Sequence, residues 1–491
     1  MPKLNSAADY HHRTEYARDS MFGPGLDWSN QPQTTKVYKN ADMAPLPREL
    51  TLPRIEAARA LLGRLTRKPE PMSLPVLSGL LFMAYGFTAQ VDYGTQILYY
   101  RSAPSAGALY PTEIYLAARD IEGLDDGLYY YSPGDFALVS LRRGAPPYSI
   151  PAPSLILSSV FFRSAWKYRD RGFRYCLLDM GHVAENIMLI SPVMGLEAAF
   201  ETSFDDEVLN AFLGLDPARE RVFSLIKFGA RPIESKKSSF KEENEEISSE
   251  AVPRADAVAP REETFDLIAS VSRLTSAPLT GHEPTALKWP AGTRVALPSV
   301  AWDDFMEPTL VQVLRGRRSR RNFKPRDLQP EKLSRALELL TTPEVGTLIN
   351  LGLAANAILD LPDGFYHLRP ETRELELNKG GFLTPKISQA ALNQDWIGRA
   401  NLVLVLTAPL ERLERSLGSR ALRLAYLAAG RLGQRAYLTA EIMGWGCCGI
   451  GAFFDAEVRN ALDLPSGEEV LYLIPLGPIK KRTHGGRPGS R

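Results

Sequence analysis

The feature that most constrains the fold of this chain is an internal duplication. The segment FDDEVLNAF, which begins at Phe204, matches FDAEVRNAL, which begins at Phe454, without a gap and at an offset of 250 residues. The pattern DDGLYYYSPGDFALVSLRRG from Asp125 recurs as PDGFYHLRPETRELELNKGG from Pro362, and both predict a strand, a turn and a second strand. A repeat of this length predicts a duplicated domain whose two copies pair as an intramolecular pseudo-dimer.

A polar segment separates the two copies. Residues 235–264 are rich in Ser, Glu, Lys and Pro, and we expect an exposed linker that does not pack. Each copy mixes helical and strand patterns, so the predicted fold class is α+β. The apolar helices predicted at 181–200 and 433–446 are expected at the interface between the copies. The predicted organisation is an N-terminal extension at 1–49, domain 1 at 50–234, the linker, and domain 2 at 265–491.

Composition argues against several classes of partner. The chain carries 58 Lys and Arg against 57 Asp and Glu, so net charge favours neither nucleic acid nor an anionic membrane. Since no apolar run reaches about 18 residues and the start lacks a signal-like segment, we expect a cytoplasmic protein without a membrane span. Three cysteines predict reduced thiols rather than a disulfide framework. The six histidines show no metal-ligand spacing, and we expect no metal site.

Two basic segments of domain 2 are candidates for anion binding. The run RRSRR brings together Arg317, Arg318, Ser319 and Arg321 within five positions, and guanidinium forks with a hydroxyl suit a phosphate group. A charged loop without a ligand, or a nucleic-acid contact, explains the same run about equally well. The C-terminal cluster with Lys480 and Arg482 is by itself more typical of a solvated tail.

The segment GWGCCGIGAFFD, Gly444 to Asp455, has four glycines within eight residues, among them Gly449 and Gly451 on either side of Ile450. Glycine lets the backbone approach a flat ligand closely and present its N–H groups to it. A structural turn is the alternative. The segment does not follow the dinucleotide-binding G-x-G-x-x-G pattern after a strand.

Domain 1 offers a candidate base. Lys167 lies among several arginines in AWKYRDRGFRYCLLDMGH, and burial with clustered positive charge would make it easier to deprotonate, with Tyr168 sharing the proton. An ordinary basic helix face explains the pattern more simply. Upstream, a tight polar turn at 104–107 interrupts two apolar runs in RSAPSAGALYPTE.

Taken together, RSAPSAGALYPTEIYL, WKYRDRGFRYCLLDMGHVAEN, RRSRRNF and GWGCCGIGAFFD resemble motifs of the nitroreductase-like flavoproteins, specifically the SagB-type dehydrogenases that include the azoline oxidases. The resemblance covers most of the chain. It implies two tandem FMN-binding domains of α+β fold, with FMN at their interface and two-electron chemistry at the flavin.

The resemblance also assigns residues. It implies that the phosphate of FMN is bound by Arg317, Arg318, Ser319 and Arg321, with Lys480 and Arg482 less surely. It implies that the flavin is held by the turn of Pro104, Ser105, Ala106 and Gly107, and we add the glycine segment at Gly449, Ile450 and Gly451. The Lys-Tyr pair that azoline oxidases need for catalysis resembles Lys167 and Tyr168.

The two copies are complementary rather than equivalent. Domain 1 has RLTRK at 64–68 where domain 2 has RRSRR, and domain 2 lacks the P-S-A-G turn. An offset of 249 places Ser416 and Leu417 opposite the Lys-Tyr pair of domain 1. We therefore predict one composite site, in which domain 2 binds FMN while domain 1 covers it and supplies the base. The second site is expected to be empty or structural.

Three functions follow as hypotheses. The leading one is an FMN-dependent dehydrogenase that oxidises an azoline in a peptide or peptide-derived product to the azole, with biosynthetic proteins as partners. The second is an NAD(P)H-dependent flavin reductase of nitro compounds or quinones. The third is a scaffold without catalysis. The sequence leaves open the substrate, the redox partner, and whether the chain is a monomer or a larger oligomer.

Overall fold

A computed structural model describes residues 4–21, 25–50, 52–65, 67–92, 94, 97–229, 252–281, 289, 292–302 and 308–480. The first part of the predicted linker, up to residue 251, lies outside these ranges, as does Arg482. Within them the chain forms two antiparallel sheets of seven strands each, flanked by helices. This is the predicted α+β class.

The first repeat is built on a sheet with the strand order β1-β6-β5-β4-β7-β9-β8. Its strands are β1 Met43–Pro45, β4 Thr112–Ala118, β5 Gly127–Ser132, β6 Ala137–Arg143, β7 Ser154–Val160, β8 Ala198–Glu201 and β9 Glu220–Phe228, with the hairpin β2 Phe87–Asp92 and β3 Ile97–Arg101 as a separate sheet. Its helices are α1 Ala7–Arg13, α2 Ala57–Leu61, α3 Leu74–Tyr85, α4 Phe161–Tyr168, α5 Gly172–Val193 and α6 Asp206–Phe212.

The second repeat has the same topology, with the order β10-β13-β12-β11-β14-β16-β15. Its strands are β10 Thr293–Ala296, β11 Asn350–Ala355, β12 Gly364–Arg369, β13 Glu374–Gly380, β14 Leu402–Ala408, β15 Trp445–Cys447 and β16 Glu469–Pro478. Its helices are α7 Asp266–Leu274, α8 Leu310–Gly316, α9 Pro330–Leu340, α10 Thr384–Ala390, α11 Leu410–Leu417, α12 Ala421–Ile442 and α13 Asp455–Leu462. The matching orders confirm the predicted duplication.

The two repeats meet along α5 and α12, which have 22 residues each and are buried over most of their length. They cross at Gly181 and Gly430, 249 positions apart in the chain. A Cβ on Gly181 would lie 2.4 Å from the Leu427 carbonyl oxygen, and one on Gly430 would lie 2.2 Å from that of Leu178. Because Leu178 and Leu427 are also 249 positions apart, the pseudo-two-fold axis passes through this crossing. The interface helices predicted from sequence are confirmed, although α5 ends at Val193 rather than at residue 200.

Buried ion pairs repeat on both sides of that axis. Asp455, at the start of α13, accepts from Arg171 at 2.7 Å and from Arg174 at 3.0 Å. Both arginines belong to the first repeat, so the contact joins the two halves. The equivalent set, displaced by 249 positions at both bonds and with distances of 2.6 Å, is Asp206 with Arg420 and Arg423. The interface is therefore self-complementary, as in a two-fold homodimer.

The N-terminal helix belongs to the repeat. Thr14, which follows α1, accepts a hydrogen bond from Arg174 Nε at 2.9 Å, and Thr275, which follows α7, accepts from Arg423 Nε at 2.8 Å. Since the two arginines are equivalent, α1 and α7 occupy equivalent positions. The segment 1–49 that was predicted as an extension thus contains a duplicated element.

The described end of the predicted linker packs against the first repeat, which corrects the expectation that the whole segment is exposed. Val258 and Ala259 are buried in a cluster with Trp166. The Val258 carbonyl accepts from the Gln33 amide at 2.7 Å. Glu262 pairs with Arg219 at 2.6 Å. Sequence composition missed this because a few small apolar residues suffice to anchor an otherwise polar segment.

The described part of the chain contains no helix that combines the length and apolar character needed to cross a membrane. The three cysteines are buried free thiols, as predicted.

Candidate active site

A cleft at the interface brings together motifs from both repeats. Its first-repeat wall contains the P-S-A-G turn and Tyr168, and its second-repeat wall contains Ser319, Arg321 and the glycine segment. The full lining is Pro104, Ser105, Ala106, Gly107, Tyr168, Tyr175, Leu178, Asp179, His182, Ser319, Arg321, Gln394, Tyr437, Cys448, Gly449, Ile450, Gly451, Ala452 and Tyr472. Segments separated by more than 300 residues in the sequence thus form one surface.

The P-S-A-G turn is fixed at its tip by Asp179 of α5. The Ser105 hydroxyl donates to Asp179 Oδ2 at 2.5 Å, and the Ala106 amide donates to Oδ1 at 3.1 Å. The same hydroxyl oxygen accepts from the Tyr110 amide at 2.8 Å. The turn therefore has a defined conformation.

Arg317 and Arg318 contact the backbone of the first repeat rather than the cleft. Arg317 is buried, and it donates to the Ser102 carbonyl at 2.5 Å and to the Arg101 carbonyl at 2.9 Å. Arg318 donates to the Thr88 carbonyl at 3.2 Å. These two arginines tie the RRSRR segment to the β2–β3 hairpin and to the start of the P-S-A-G turn, which differs from the phosphate contacts expected of them.

Ser319 and Arg321 do line the cleft. The Ser319 hydroxyl lies 2.9 Å from the Tyr437 hydroxyl, which also accepts from the Gly449 amide at 2.8 Å. Arg321 Nε donates to Cys448 Sγ at 3.4 Å. The hydroxyl and the guanidinium thus stand beside the glycine segment, on the wall formed by the second repeat.

The glycines of that segment are required by their tyrosine neighbours. A Cβ on Gly449 would lie 1.8 Å from the Tyr472 hydroxyl oxygen, and one on Gly451 would lie 2.2 Å from Tyr175 Cε1. Any side chain at these positions would displace an aromatic ring from the cleft wall. Within the described residues the close approach of these glycines is made to tyrosine rings, and the approach to a flat ligand expected from the sequence stays a prediction.

The Lys-Tyr pair lies at the edge of the cleft, next to the turn. Tyr168 lines the cleft, and burial raises its pKa. Lys167 is exposed, with its Nζ 5.5 Å from the centre of the Tyr168 ring. The expected burial of Lys167 is therefore wrong. The nearby arginines are also neutralised, since Arg163 pairs with Glu113 at 2.6 Å and Arg171 pairs with the carboxylate of α13.

Lys480, the described residue of the C-terminal cationic pair, is outside the lining of the cleft. The Lys480 amide donates to the Asn322 carbonyl at 3.1 Å, which continues the strand that ends at residue 478. Arg482 lies outside the described residues.

The nitroreductase family profile matches residues 42–230 and again 314–478, which together make up more than half of the chain. The chain belongs to the nitroreductase family. Both repeats are therefore nitroreductase domains, and the resemblance drawn from the motifs is confirmed.

Individual relatives agree with this assignment. The chain is 32% identical over 156 residues to a protein of Methanocaldococcus jannaschii named as a nitroreductase, a match that covers 29% of this chain and 75% of the relative. It is 29% identical over 174 residues to the trifolitoxin-processing protein TfxB of Rhizobium leguminosarum bv. trifolii, covering 32% of this chain and 47% of TfxB. This second match thus spans about half of the relative's length.

A solved structure reproduces the whole tandem arrangement. A nitroreductase homologue of Anabaena variabilis superposes with a TM-score of 0.76 at 26% identity, covering 97% of this chain and 100% of that one. A second nitroreductase-family chain therefore folds with the same pair of repeats.

Sequence reasoning missed several polar residues of this nitroreductase cleft, which are Tyr175, Asp179, His182, Gln394, Tyr437, Cys448 and Tyr472. Burial raises the pKa of Asp179 to about 7. Burial lowers the pKa of His182 to about 3, so its ring is neutral. One signal was available. The run LLDMGHVAEN places both an acid and a histidine in an apolar helix, where burial of an ionisable side chain costs free energy unless a partner compensates it.

The neutral histidine belongs to a buried amide network. His182 Nδ1 lies 3.1 Å from Gln434 Oε1, and its Nε2 lies 3.2 Å from the Tyr472 hydroxyl. Gln434 in turn donates to Asn186 Oδ1 at 2.6 Å. The hydrogen bonds of His182 at the interface are therefore made to uncharged groups.

The pseudo-equivalent position on the other side of the axis is filled by charged side chains. Arg431, equivalent to His182 at the 249-residue offset, donates to Glu185 at 2.9 Å and also pairs with Glu344. Arg435 donates to the same Glu185 at 2.6 Å. The guanidinium carbon of Arg431 lies 5.0 Å from the centre of the Phe200 ring. Among the described residues, these ion pairs stand at the 249-residue equivalents of the uncharged network of His182, Gln434 and Asn186.

The fold also forms a histidine-carboxylate cluster that sequence spacing did not reveal. Candidate ligand atoms of His11, Glu15 and Asp455 lie within 4.8 Å of one another. Arginines already neutralise both carboxylates, since Arg171 pairs with Asp455 and Arg459 pairs with Glu15 at 2.7 Å. Resident guanidinium groups therefore take the place that a cation would need.

Proposed function

We propose that this chain binds one FMN in the interdomain cleft and uses it to remove two hydrogens from an azoline of a modified peptide, giving the aromatic azole. The observation that carries the proposal is the cleft itself. It joins the P-S-A-G turn and Tyr168 of one nitroreductase domain to Ser319, Arg321 and the glycine segment of the other, and Lys167 lies at its edge beside Tyr168.

The chemistry of the lining fits FMN. Arg321 and Ser319 supply a charged and a neutral donor for a phosphate group. Leu178, Ala106 and Ile450 give apolar surface suited to a flat ring system. We assign the contacts of FMN to these residues and to the glycine segment. Arg317 and Arg318 act indirectly in this assignment, because they hold the turn in place.

FMN, when bound, would supply the hydride acceptor of the reaction. Oxidation of an azoline breaks two C–H bonds and forms one C=C bond, so the chain must accept a proton from the Cα while hydride leaves the neighbouring carbon. We assign proton removal to Lys167, with Tyr168 beside it. The exposed amine at the cleft edge can reach a substrate there. We propose molecular oxygen as the final electron acceptor.

The peptide substrate is supported by one relative. TfxB is named for the processing of trifolitoxin, and it shares 29% identity with this chain over 174 residues. We therefore propose a modified peptide as the substrate class and other peptide-modifying proteins as partners.

The test is oxidation of a defined peptide. The chain is reconstituted with FMN and incubated aerobically with an azoline-containing peptide, and mass spectrometry is expected to show loss of two hydrogens together with oxygen consumption. The matching azole peptide is the control and should not change. A yellow, FMN-loaded chain that leaves every azoline peptide intact contradicts the proposed substrate. A chain that takes up no FMN supports the scaffold hypothesis instead.

A second candidate function is favoured by the 32% identity to the nitroreductase homologue of Methanocaldococcus jannaschii. In this alternative the electrons flow from NAD(P)H to a nitro compound or quinone. Anaerobic mixing of the FMN-loaded chain with NADPH distinguishes the two directions. Rapid bleaching of the flavin supports the reductase, whereas a flavin that stays oxidised supports the dehydrogenase.

A further inference from the structure

Asp179 is the single carboxylate among the residues that line the cleft. Its side chain is buried, and both oxygens accept hydrogen bonds from the P-S-A-G turn, at 2.5 Å from Ser105 and 3.1 Å from the Ala106 amide. The offset of 249 places Ala428 at the equivalent position of the second repeat. The acid therefore occurs only in the repeat that carries the turn.

The turn is held from two directions. Arg317 of the second repeat donates to the carbonyls of Arg101 and Ser102, just before the turn begins. Asp179 of the first repeat accepts from its tip. Removal of the Asp179 contacts leaves Arg317 holding the start of the turn and the Tyr110 amide bonded to Ser105, so a change at the tip reports on Asp179.

We propose that Asp179 is a positioning residue, whose carboxyl group holds the tip of the P-S-A-G turn in the conformation that covers the bound cofactor. The part of this inference that concerns the cofactor rests on the proposed function. The part that concerns the turn does not.

The charge state of Asp179 makes the stability of the closed turn depend on pH. Burial raises its pKa to about 7, against the lowering effect of the Ser105 and Ala106 hydrogen bonds. Opening of the turn would expose Asp179 to water and return its pKa towards the ordinary value of 3.8. The carboxyl group therefore stabilises the closed turn most at low pH, and this stabilisation is lost as pH rises through about 7. The closed turn should thus be more stable at pH 5.5 than at pH 8.

No neighbour of Asp179 that we identify titrates in the same window. His182, on the same helix, is already neutral throughout it, and Arg321 across the cleft stays protonated. Four further groups interact electrostatically with Asp179, and burial raises the pKa of each above its ordinary value: Tyr85 of α3, Tyr168 of α4, Cys176 of α5 and Tyr472 of β16.

The first test uses hydrogen exchange of the full-length, flavin-free chain. Amide exchange is followed in the peptide covering 104–112 at pH 5.5 and pH 8 and corrected for intrinsic rates. In the wild type we expect roughly tenfold greater protection at pH 5.5. Asp179→Asn keeps the shape without the charge and should be protected at both pH values, while Asp179→Ala should lose about tenfold at pH 5.5.

Glu468→Gln is the matched control. Glu468 is also a buried carboxyl with a raised pKa, and it accepts from Thr407 and Asn350 in the sheet of the second repeat, away from the cleft. This variant should keep the wild-type pH dependence of the turn. Circular dichroism verifies that each variant is folded, and if Asp179→Ala is not, Asp179→Asn alone decides the question through its loss of pH dependence.

The second test is titration of each variant with FMN at pH 5.5, where the Asp179 carboxyl stabilises the closed turn. We expect Asp179→Ala to bind about tenfold more weakly than the wild type and Asp179→Asn to bind within about threefold of it. The proposal is overturned if Asp179→Ala leaves the turn as protected as in the wild type, or if Asp179→Asn retains the pH dependence. If the exchange results are as expected but even the wild type binds no FMN, the proposed function fails while the positioning of the turn stands.

Discussion

The two buried ion-pair sets at the interface allow a prediction with an internal control. Asp455→Asn removes the negative charge that Arg171 and Arg174 share while preserving the size of the side chain. All three groups are almost completely buried, and the loss of one partner from a buried ion pair costs about 3–5 kcal/mol of unfolding free energy. Asp206→Asn makes the same change at the pseudo-equivalent position and should cost the same.

The two substitutions should differ at the cleft. Arg171 donates to the Gly451 carbonyl at 3.0 Å and to the Tyr175 hydroxyl at 3.2 Å, so its anchoring by Asp455 supports the glycine segment. No such contact links the Asp206 set to a cleft residue in the described structure. We therefore expect Asp455→Asn to weaken FMN binding about tenfold, and Asp206→Asn to leave it within about threefold.

The assays are thermal unfolding and FMN titration of both variants. At about 2 °C per kcal/mol, the expected loss lowers the Tm of each variant by about 6–10 °C. Burial raises the pKa of Asp455, but Arg171 and Arg174 lower it more, so the pKa lies below its ordinary value of 3.8. The stabilisation by the Asp455 charge is therefore fully present above pH 3.8 and is lost as pH falls through the lowered pKa. Equal effects of the two variants on FMN affinity would refute the link between Asp455 and the glycine segment. A Tm change below about 2 °C would refute the estimate of the ion-pair energy.

Three further predictions concern the cleft. Lys167→Ala should retain FMN and its yellow colour but lose at least about a hundredfold in kcat for azoline oxidation, and full turnover contradicts its role as the base. Gly451→Ala places a Cβ 2.2 Å from Tyr175 Cε1 and should cost about 1–3 kcal/mol, measured by urea unfolding, whereas Gly380→Ala, with nothing within 4 Å, should cost less than about 1 kcal/mol. Flavin titration should saturate at one FMN per chain, because the ion pairs of Arg431 stand at the equivalent of His182 on the other side of the axis; two per chain contradicts this.

The repeat, its fold class and the main elements of the cleft were predictable from sequence because each leaves a local pattern. The strand pairs 127–143 and 364–380 follow from the strand-turn-strand pattern shared by the two copies. The P-S-A-G turn and the glycine segment were recognisable as motifs, and the structure places both at one cleft.

The register of the segment from Phe204 was predicted with an error of one residue, whereas the offset of 249 used for the Lys-Tyr pair agrees with the structure. Residue identity aligns Asp205 with Asp455 at an offset of 250, whereas the ion pairs of the structure make Asp206 the equivalent of Asp455 at an offset of 249. Only at 249 do the two acids meet equivalent arginine pairs. The equivalent acids are the two that pair with the arginines at the interface, and they can be identified only once the fold is known.

The interactions that were not predictable are contacts between distant segments. Asp179 meets Ser105 across 74 residues, and Arg317 meets Ser102 across 215 residues. A motif search assigns Arg317 to a phosphate because it cannot see that backbone carbonyls already accept from the side chain. Likewise, the sequence around Lys167 predicts an excess of positive charge, because the acidic partners of Arg163 and Arg171 are distant in the chain.

The covalent link between the repeats has a consequence for evolution and for behaviour in the cell. A cleft shared by two separate polypeptides falls apart when they are diluted, whereas one formed within a single polypeptide keeps the same effective concentration at any expression level. A single gene also lets each half mutate alone. His182 and Arg431 are the descendants of one ancestral position, and a homodimer would have to carry the same residue at both.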